Sequence, residues 1–287
     1  MIEIKKITNI EELYFYHTNI NSPYIFKTDY EEYLISLCKD SDSYGNKLFE
    51  ELNLLGAYND SKLVGFIQYG ITNIGFDEQG EITTNLNYFV IRNFYFEDEK
   101  VGEELLNRVL DNKKEELYAF FHYFGMSCFA RHGKLYEKNK NIEDLLTKHG
   151  FIPNEINVYY SSIVERKNEK EISIETKNIN KWNTQNIAFK HNEEFIGEAE
   201  IHFVNKENVY LRWIYVIETK KHLGYGSRCM NKLKDYLFDL GIIKLDTDTA
   251  LDNLIAQRYY ERNNFVNLGK TKSYLKKKGL LLKNNNF

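Results

Sequence analysis

The segment Trp213 to Gly226, WIYVIETKKHLGYG, gathers residue types that can hold an anion. A strand-like run leads into Lys221-His222-Leu223-Gly224-Tyr225-Gly226, where a helical pattern begins. Backbone N–H groups at such a junction have no partner inside the helix. Together with the helix dipole they favour negative charge. Glycines at 224 and 226 leave room for a pyrophosphate to approach the backbone, and Lys221 adds a cation. The same glycine pair also makes a plain tight turn into a core helix. This fragment alone leaves both readings open.

One strand further on stands Asn253-Leu-Ile-Ala256-Gln-Arg-Tyr259-Tyr260-Glu-Arg-Asn-Asn264-Phe265. Taken together, the two segments resemble the GNAT acetyltransferase superfamily over about residues 171 to 278. The motif Arg/Gln-x-x-Gly-x-Gly/Ala is met by Lys221-x-x-Gly224-x-Gly226, with lysine in first place. Asn-x-x-Ala-x-x-aromatic-Tyr is met by Asn253, Ala256, Tyr259 and Tyr260, and Asn264-Phe265 takes the place of Gly-Phe.

The resemblance implies that acetyl-CoA lies as co-substrate in a V where two parallel strands splay. Its pyrophosphate would meet the amides of His222, Leu223, Gly224, Tyr225, Gly226 and Ser227. Its pantetheine arm would pair with the backbone of Ile214, Tyr215 and Val216. Tyr260 stands where the family keeps its general-acid tyrosine, and a phenol can protonate a departing thiolate. Tyr259 is then a core aromatic. Asn253 would touch the CoA arm or brace the strand; capping its helix is the plainer reading. The expected acceptor is a small-molecule or peptide amine, and no metal is implied.

A general base is harder to find. The run Val209 to Ile217 contains no Glu, and Glu207 just precedes it. His202 on the neighbouring strand has a suitable ordinary pKa, and a water relay is the alternative. The equivalent loop of the first half is Glu97-Asp98-Glu99-Lys100-Val101-Gly102, whose carboxylates oppose anion binding. Leu146 stands there in the place of Tyr260. The first half therefore reads as a degenerate copy. The rival reading for the whole is a non-catalytic acyl-CoA binding or sensing protein. The histidines, His122, His132 and His149 among them, lack a metal-ligand spacing.

These loops need elements to carry them. NLLGAYNDSKLVGFIQYGI and NIAFKHNEEFIGEAEIHFV each read as a hairpin, turning at Asn59-Asp60 and near His191-Asn192-Glu193. NYFVIRNFYF and VYLRWIYVI read as strands that feed helices from Val101 and Tyr225. Further strands are AFFHYFGMSCF, VYYSSIV, IIKLDTDT and KTKSYLKKK, and NIEDLLTKHGF is a short helix. Each half thus runs β-β-β-α-β-α-β, an internal duplication. Ile10 to Leu52 adds helical material to the first half. The fold class is α+β, two GNAT-like domains in tandem. The polar run Glu165–Lys170 divides them into 1–165 and 166–287.

Composition agrees with a folded chain: of 287 residues, 43% are hydrophobic and 28% charged, with 22 Tyr and 19 Phe. A net charge of −4 disfavours nucleic acid as partner. Cys38, Cys128 and Cys229 are scattered, as in a reducing compartment. With no signal-peptide core and no apolar run of membrane length, the expectation is a cytoplasmic monomer or homodimer off the membrane.

Overall fold

The computed structural model describes residues 2–13, 49–72, 75–76, 82–83, 88–111, 116–120, 134–180 and 183–277. Much of the helical material expected between Ile10 and Leu52 lies outside them, as do most of AFFHYFGMSCF, Cys38, Cys128, His122, His132 and the chain end after residue 277. The chain forms two compact units. One comprises Met1–Ile156 with Thr271–Phe287, the other Asn157–Lys270.

In the first unit the strands are β1 (Glu3–Lys6), β2 (Glu51–Asn59), β3 (Lys62–Thr72), β6 (Tyr88–Phe96) and β7 (Glu116–Ala119), with a two-stranded ribbon of β4 (Gly75–Phe76) and β5 (Ile82–Thr83). The short β8 (Leu135–Tyr136) follows. Helices α1 (Glu99–Leu110) and α2 (Lys140–Lys148) bury Leu105, Leu106, Leu145 and Leu146 against the sheet. The second unit has β10 (Ile172–Thr176), β11 (Thr184–His191), β12 (Glu194–Phe203), β13 (Asn208–Val216) and β14 (Lys244–Ala250), with helices α3 (Tyr225–Asp239) and α4 (Leu254–Arg262). Cys229, Met230, Leu233 and Leu237 of α3 recur at helical spacing and are fully buried.

The duplication shows in backbone detail. Each unit opens its helix-bearing part with a hairpin whose two loop residues have positive φ: Asp60 and Ser61 in one, Asn192 and Glu193 in the other. Such turns match the twist of the paired strands. Each third strand then carries a bulge with an arginine as its extra residue. Gln68 faces Asn93 and Tyr69 faces Ile91, leaving Arg92 over. Glu200 faces Trp213 and Ile201 faces Leu211, leaving Arg212 over. The last helices end alike, on Gly150 (φ 82°) and Asn264 (φ 64°). In each case the following phenylalanine N–H returns to a carbonyl of the last turn, Phe151 to Leu146 and Phe265 to Tyr260. Asn is the residue besides glycine most at home in this left-handed cap, so Asn264-Phe265 does the work of Gly-Phe.

The packing departs from the expected division at 165. Strand β9 (Ile152–Ile163), the last of the first half, pairs antiparallel with β14 along Asn157–Ile163. Strand β15 (Val266–Lys276), the last of the second half, pairs with β7 through Tyr274–Lys276 and with β8 through Thr271–Lys272. Val158 and Tyr160 join the second core and Tyr274 the first. Composition cannot reveal this, because both strands follow a similar helix and carry similar apolar faces.

The polar run Glu165–Lys170 is not a loose linker. The carboxylate of Asp235, on α3, accepts the successive N–H groups of Lys167, Asn168 (2.9 Å) and Glu169 (2.7 Å). Beside it Lys234 is 1% exposed and donates to Ser162 Oγ (2.7 Å) and the Asn263 carbonyl (2.8 Å). Burial pushes its ammonium down to about 8. Asp235→Ala strands three donors at once, and unfolding in urea should lose about 3 kcal/mol. An unchanged midpoint would show that the segment is not held this way. The folded pKa of Lys234 lies below that of a free lysine, so its charged burial opposes folding below pH 8. That cost is relieved as pH rises from about 8 towards 10.

Candidate active site

Strands β13 and β14 are parallel neighbours for three rungs, Asn208–Tyr210 against Lys244–Asp246. Beyond these rungs each keeps its outer partner and loses the inner one. β13 stays on β12 as far as Val216, paired with Gly197, and β14 stays on β9 as far as Ala250, paired with Asn157. The bulge at Arg212 turns β13 aside just where pairing stops. Thr247 Oγ1 donates to the Leu211 carbonyl at 3.0 Å and pins the strands at the base of the fork. Ile214, Tyr215 and Val216 therefore line an open strand edge. An extended amide chain can add to such an edge as a strand would.

The β13 arm leads to the expected loop. A single 3₁₀ turn (Glu218–Lys220) is followed by Lys221, His222 (φ 61°), Leu223 and Gly224 (φ 82°), and α3 starts at Tyr225. Gly224 caps the helix in a left-handed conformation with no side-chain cap and no acidic residue in the first turn. The amides of Tyr225, Gly226 and Ser227 thus lie at a bare helix N-terminus. A Cβ on Gly224 would meet nothing within 4 Å.

Gly226 also has a packing role. A Cβ there would stand 3.2 Å from the Tyr259 ring, and its carbonyl accepts the Tyr259 hydroxyl at 2.9 Å. Its smallness seats α4 against α3. Lys221 is exposed and pairs with the exposed Glu218, a contact of little worth that an incoming anion can replace. Tyr225 is held by His191, 3.1 Å from its hydroxyl.

Tyr260 is 6% exposed, among Tyr160, Tyr259 and Phe265. Burial raises its phenol pKa. A hydrogen bond with Thr247 opposes that rise, and the charge of Asp248 adds to it. Through Thr247 the hydroxyl belongs to the base of the fork. Asn253 is engaged as the cap of α4, its carboxamide oxygen accepting the Ala256 N–H at 3.1 Å. His202 faces Tyr210 across the β12–β13 pair, with β13 between it and the fork. Glu207 lies at the other end of β13, where its carbonyl accepts the N–H groups of Ile243 and Lys244. The fork does hold a carboxylate that the sequence reading missed: Asp248, two residues beyond the last parallel rung. Its signal was the alternation Asp246–Thr247–Asp248 in the expected strand IIKLDTDT.

Among the described residues the equivalent loop of the first unit is filled by its own side chains. Asp98 caps α1 with its own carboxylate, accepting the Lys100 N–H at 2.9 Å. Glu97 pairs with Lys62. A Cβ on Gly102 would collide with Phe96 and Leu145, and Leu146 is fully buried in the core. Phe120 packs into the core, and its N–H bonds Ile91 just past the parallel rungs. Among the described residues no helix is long and apolar enough to cross a membrane, and no three metal-ligating side chains come together.

Residues 152–265 match the family model described as Acetyltransferase (GNAT) family. No curated protein matches the chain in sequence. Among solved structures, the chain is similar to a tandem GNAT protein from the clavulanic acid biosynthesis pathway. The identity is 9% and the TM-score 0.64, over 97% of this chain and 99% of that one. A GCN5-related N-acetyltransferase from Sphaerobacter thermophilus gives 7% and 0.57, over 96% and 95%. A GNAT-family acetyltransferase from Colwellia psychrerythraea gives 11% and 0.53, over 95% and 98%. At such identities the likeness speaks for the fold. Residues 152–265 thus match the GNAT acetyltransferase family model, and the whole chain carries the tandem GNAT fold.

Proposed function

We propose that this chain is an acyl-CoA-dependent N-acyltransferase that moves an acetyl group from acetyl-CoA to a primary amine by direct attack. The observation that carries this is the fork between β13 and β14, which runs from the phenol of Tyr260 to the bare N-terminus of α3. The open edge at Ile214–Val216 would hold the pantetheine arm. The amides from His222 to Ser227 would hold the pyrophosphate, with Lys221 released from Glu218 to join them. Tyr260 would protonate the leaving thiolate; its raised pKa keeps the proton in place through neutral pH. Among the described residues the cysteine is a poor nucleophile for an acyl-enzyme, because burial pushes the Cys229 thiol up to about 12, far from a reactive thiolate. Mixing the protein with acetyl-CoA and a panel of primary amines should release free thiol only when an amine is present. Bound acetyl-CoA without amine-dependent thiol would leave a binding or sensing protein instead. We place the protein in the cytoplasm, as a monomer or homodimer.

We read the first unit as a degenerate copy, since Asp98 already fills its helix N-terminus. Calorimetric titration of the intact chain should give one acetyl-CoA per chain. A stoichiometry of two would overturn this reading of the first unit.

A further inference from the structure

We propose that Asp248 is the proton acceptor for the attacking amine, working across the fork from Tyr260; this rests on the acyltransferase reading above. Thr247 and Asp248 are consecutive on β14, so their side chains leave opposite faces of the sheet. Thr247 serves the face where Tyr260 packs. Asp248 opens onto the other, beside the same gap. It is half-buried, and both its oxygens are held: Oδ1 accepts the Tyr210 hydroxyl at 2.6 Å, and Oδ2 accepts Asn157 Nδ2 at 3.0 Å. That fixes the carboxylate on β14, two residues beyond the last parallel rung.

The rival groups are worse placed. Asp246 is fully buried, bonded by the Tyr159 hydroxyl at 2.7 Å and facing Lys244 at 3.3 Å, within the paired rungs. His202 lies two strands from β14, a spacing of about 10 Å. Glu200, on β12 like His202, is occupied by Arg212. Burial already keeps the Tyr260 phenol protonated, and the nearby Asp248 charge reinforces this. The phenol is thus biased towards the protonated state that the reaction needs.

The step balances. As the C–N bond forms, the amine nitrogen gives its proton to an Asp248 oxygen. As the C–S bond breaks, the sulfur takes the phenol proton of Tyr260. The proton on Asp248 then returns through solvent to the phenolate, and the products are an amide and a free thiol.

The test uses the full chain with acetyl-CoA and three probe amines, spermidine, tyramine and glycinamide. Asp248→Asn should lower kcat/KM for the amine by about 10²-fold, with acetyl-CoA affinity unchanged. In the variant kcat/KM should go on rising with pH where the wild type has levelled off, because hydroxide must replace the carboxylate. Asp248→Glu should recover part of the loss. Should Asp248→Asn fail to fold, Asn157→Ala frees one carboxylate oxygen and should lower kcat severalfold at constant acetyl-CoA affinity. Wild-type turnover with Asp248→Asn, or failing that Asn157→Ala, equally active overturns this proposal alone. A wild type that binds acetyl-CoA and acetylates none of the three amines overturns both this proposal and the acyltransferase reading.

Discussion

Gly224→Glu should weaken acetyl-CoA binding by about 10²-fold or more while leaving the fold standing. Two effects add. The residue sits at φ 82°, a conformation that costs an L-residue roughly 1–2 kcal/mol. The new carboxylate would also stand beside a diphosphate. Two unit charges about 4 Å apart near a protein surface repel by about 4 kcal/mol before salt screening. Room is not the obstacle, because a Cβ there meets nothing. Gly224→Asn separates the two effects: Asn tolerates the left-handed conformation and brings no charge, so it should bind within a few-fold of wild type. Calorimetry with acetyl-CoA reads both variants, and unchanged affinity in the glutamate variant would remove this loop from the cofactor site.

Tyr260→Phe should lower kcat by about 10²-fold, the usual scale for a positioned general acid, with acetyl-CoA affinity preserved. The ring stays in its aromatic cluster with Tyr160, Tyr259 and Phe265, so only the hydroxyl and its link to Thr247 are lost. Stability should fall by no more than about 1 kcal/mol. Because the folded pKa lies above the ordinary tyrosine value, the wild-type kcat should show no alkaline decline below about pH 10 from this group. A variant with full kcat would take Tyr260 out of the chemistry.

Local features of the fold were legible because they are written in short periods. The hairpins follow from alternating apolar residues around Asn59-Asp60 and His191-Asn192. Helix α3 follows from Cys229, Met230, Leu233 and Leu237. The glycine loop was legible for the same reason, as a strand end, two glycines and a helix start lie within a dozen residues. Register was not legible. That β13 and β14 share only three rungs, and so open after Tyr210 and Asp246, depends on a bulge that no residue type announces. Asp248 went unseen for this reason: on paper DTDT is a polar strand, and only the register puts one of its carboxylates at the lip of the gap. The packing of Gly226 against Tyr259 was not legible either, because the two are neighbours in space and 33 residues apart in sequence.

The crossed course of β9 and β15 has a consequence for how the chain is made. During synthesis the first unit can form its hairpin and helices, yet β7 must wait for Tyr274–Lys276, which leave the ribosome far later. Until then it offers an unsatisfied edge, the kind of surface on which chains mispair. Contacts between residues so distant in sequence also slow folding. Nascent-chain protease resistance should therefore rise in one late step, once residues 271–276 are free, rather than in two steps half a chain apart.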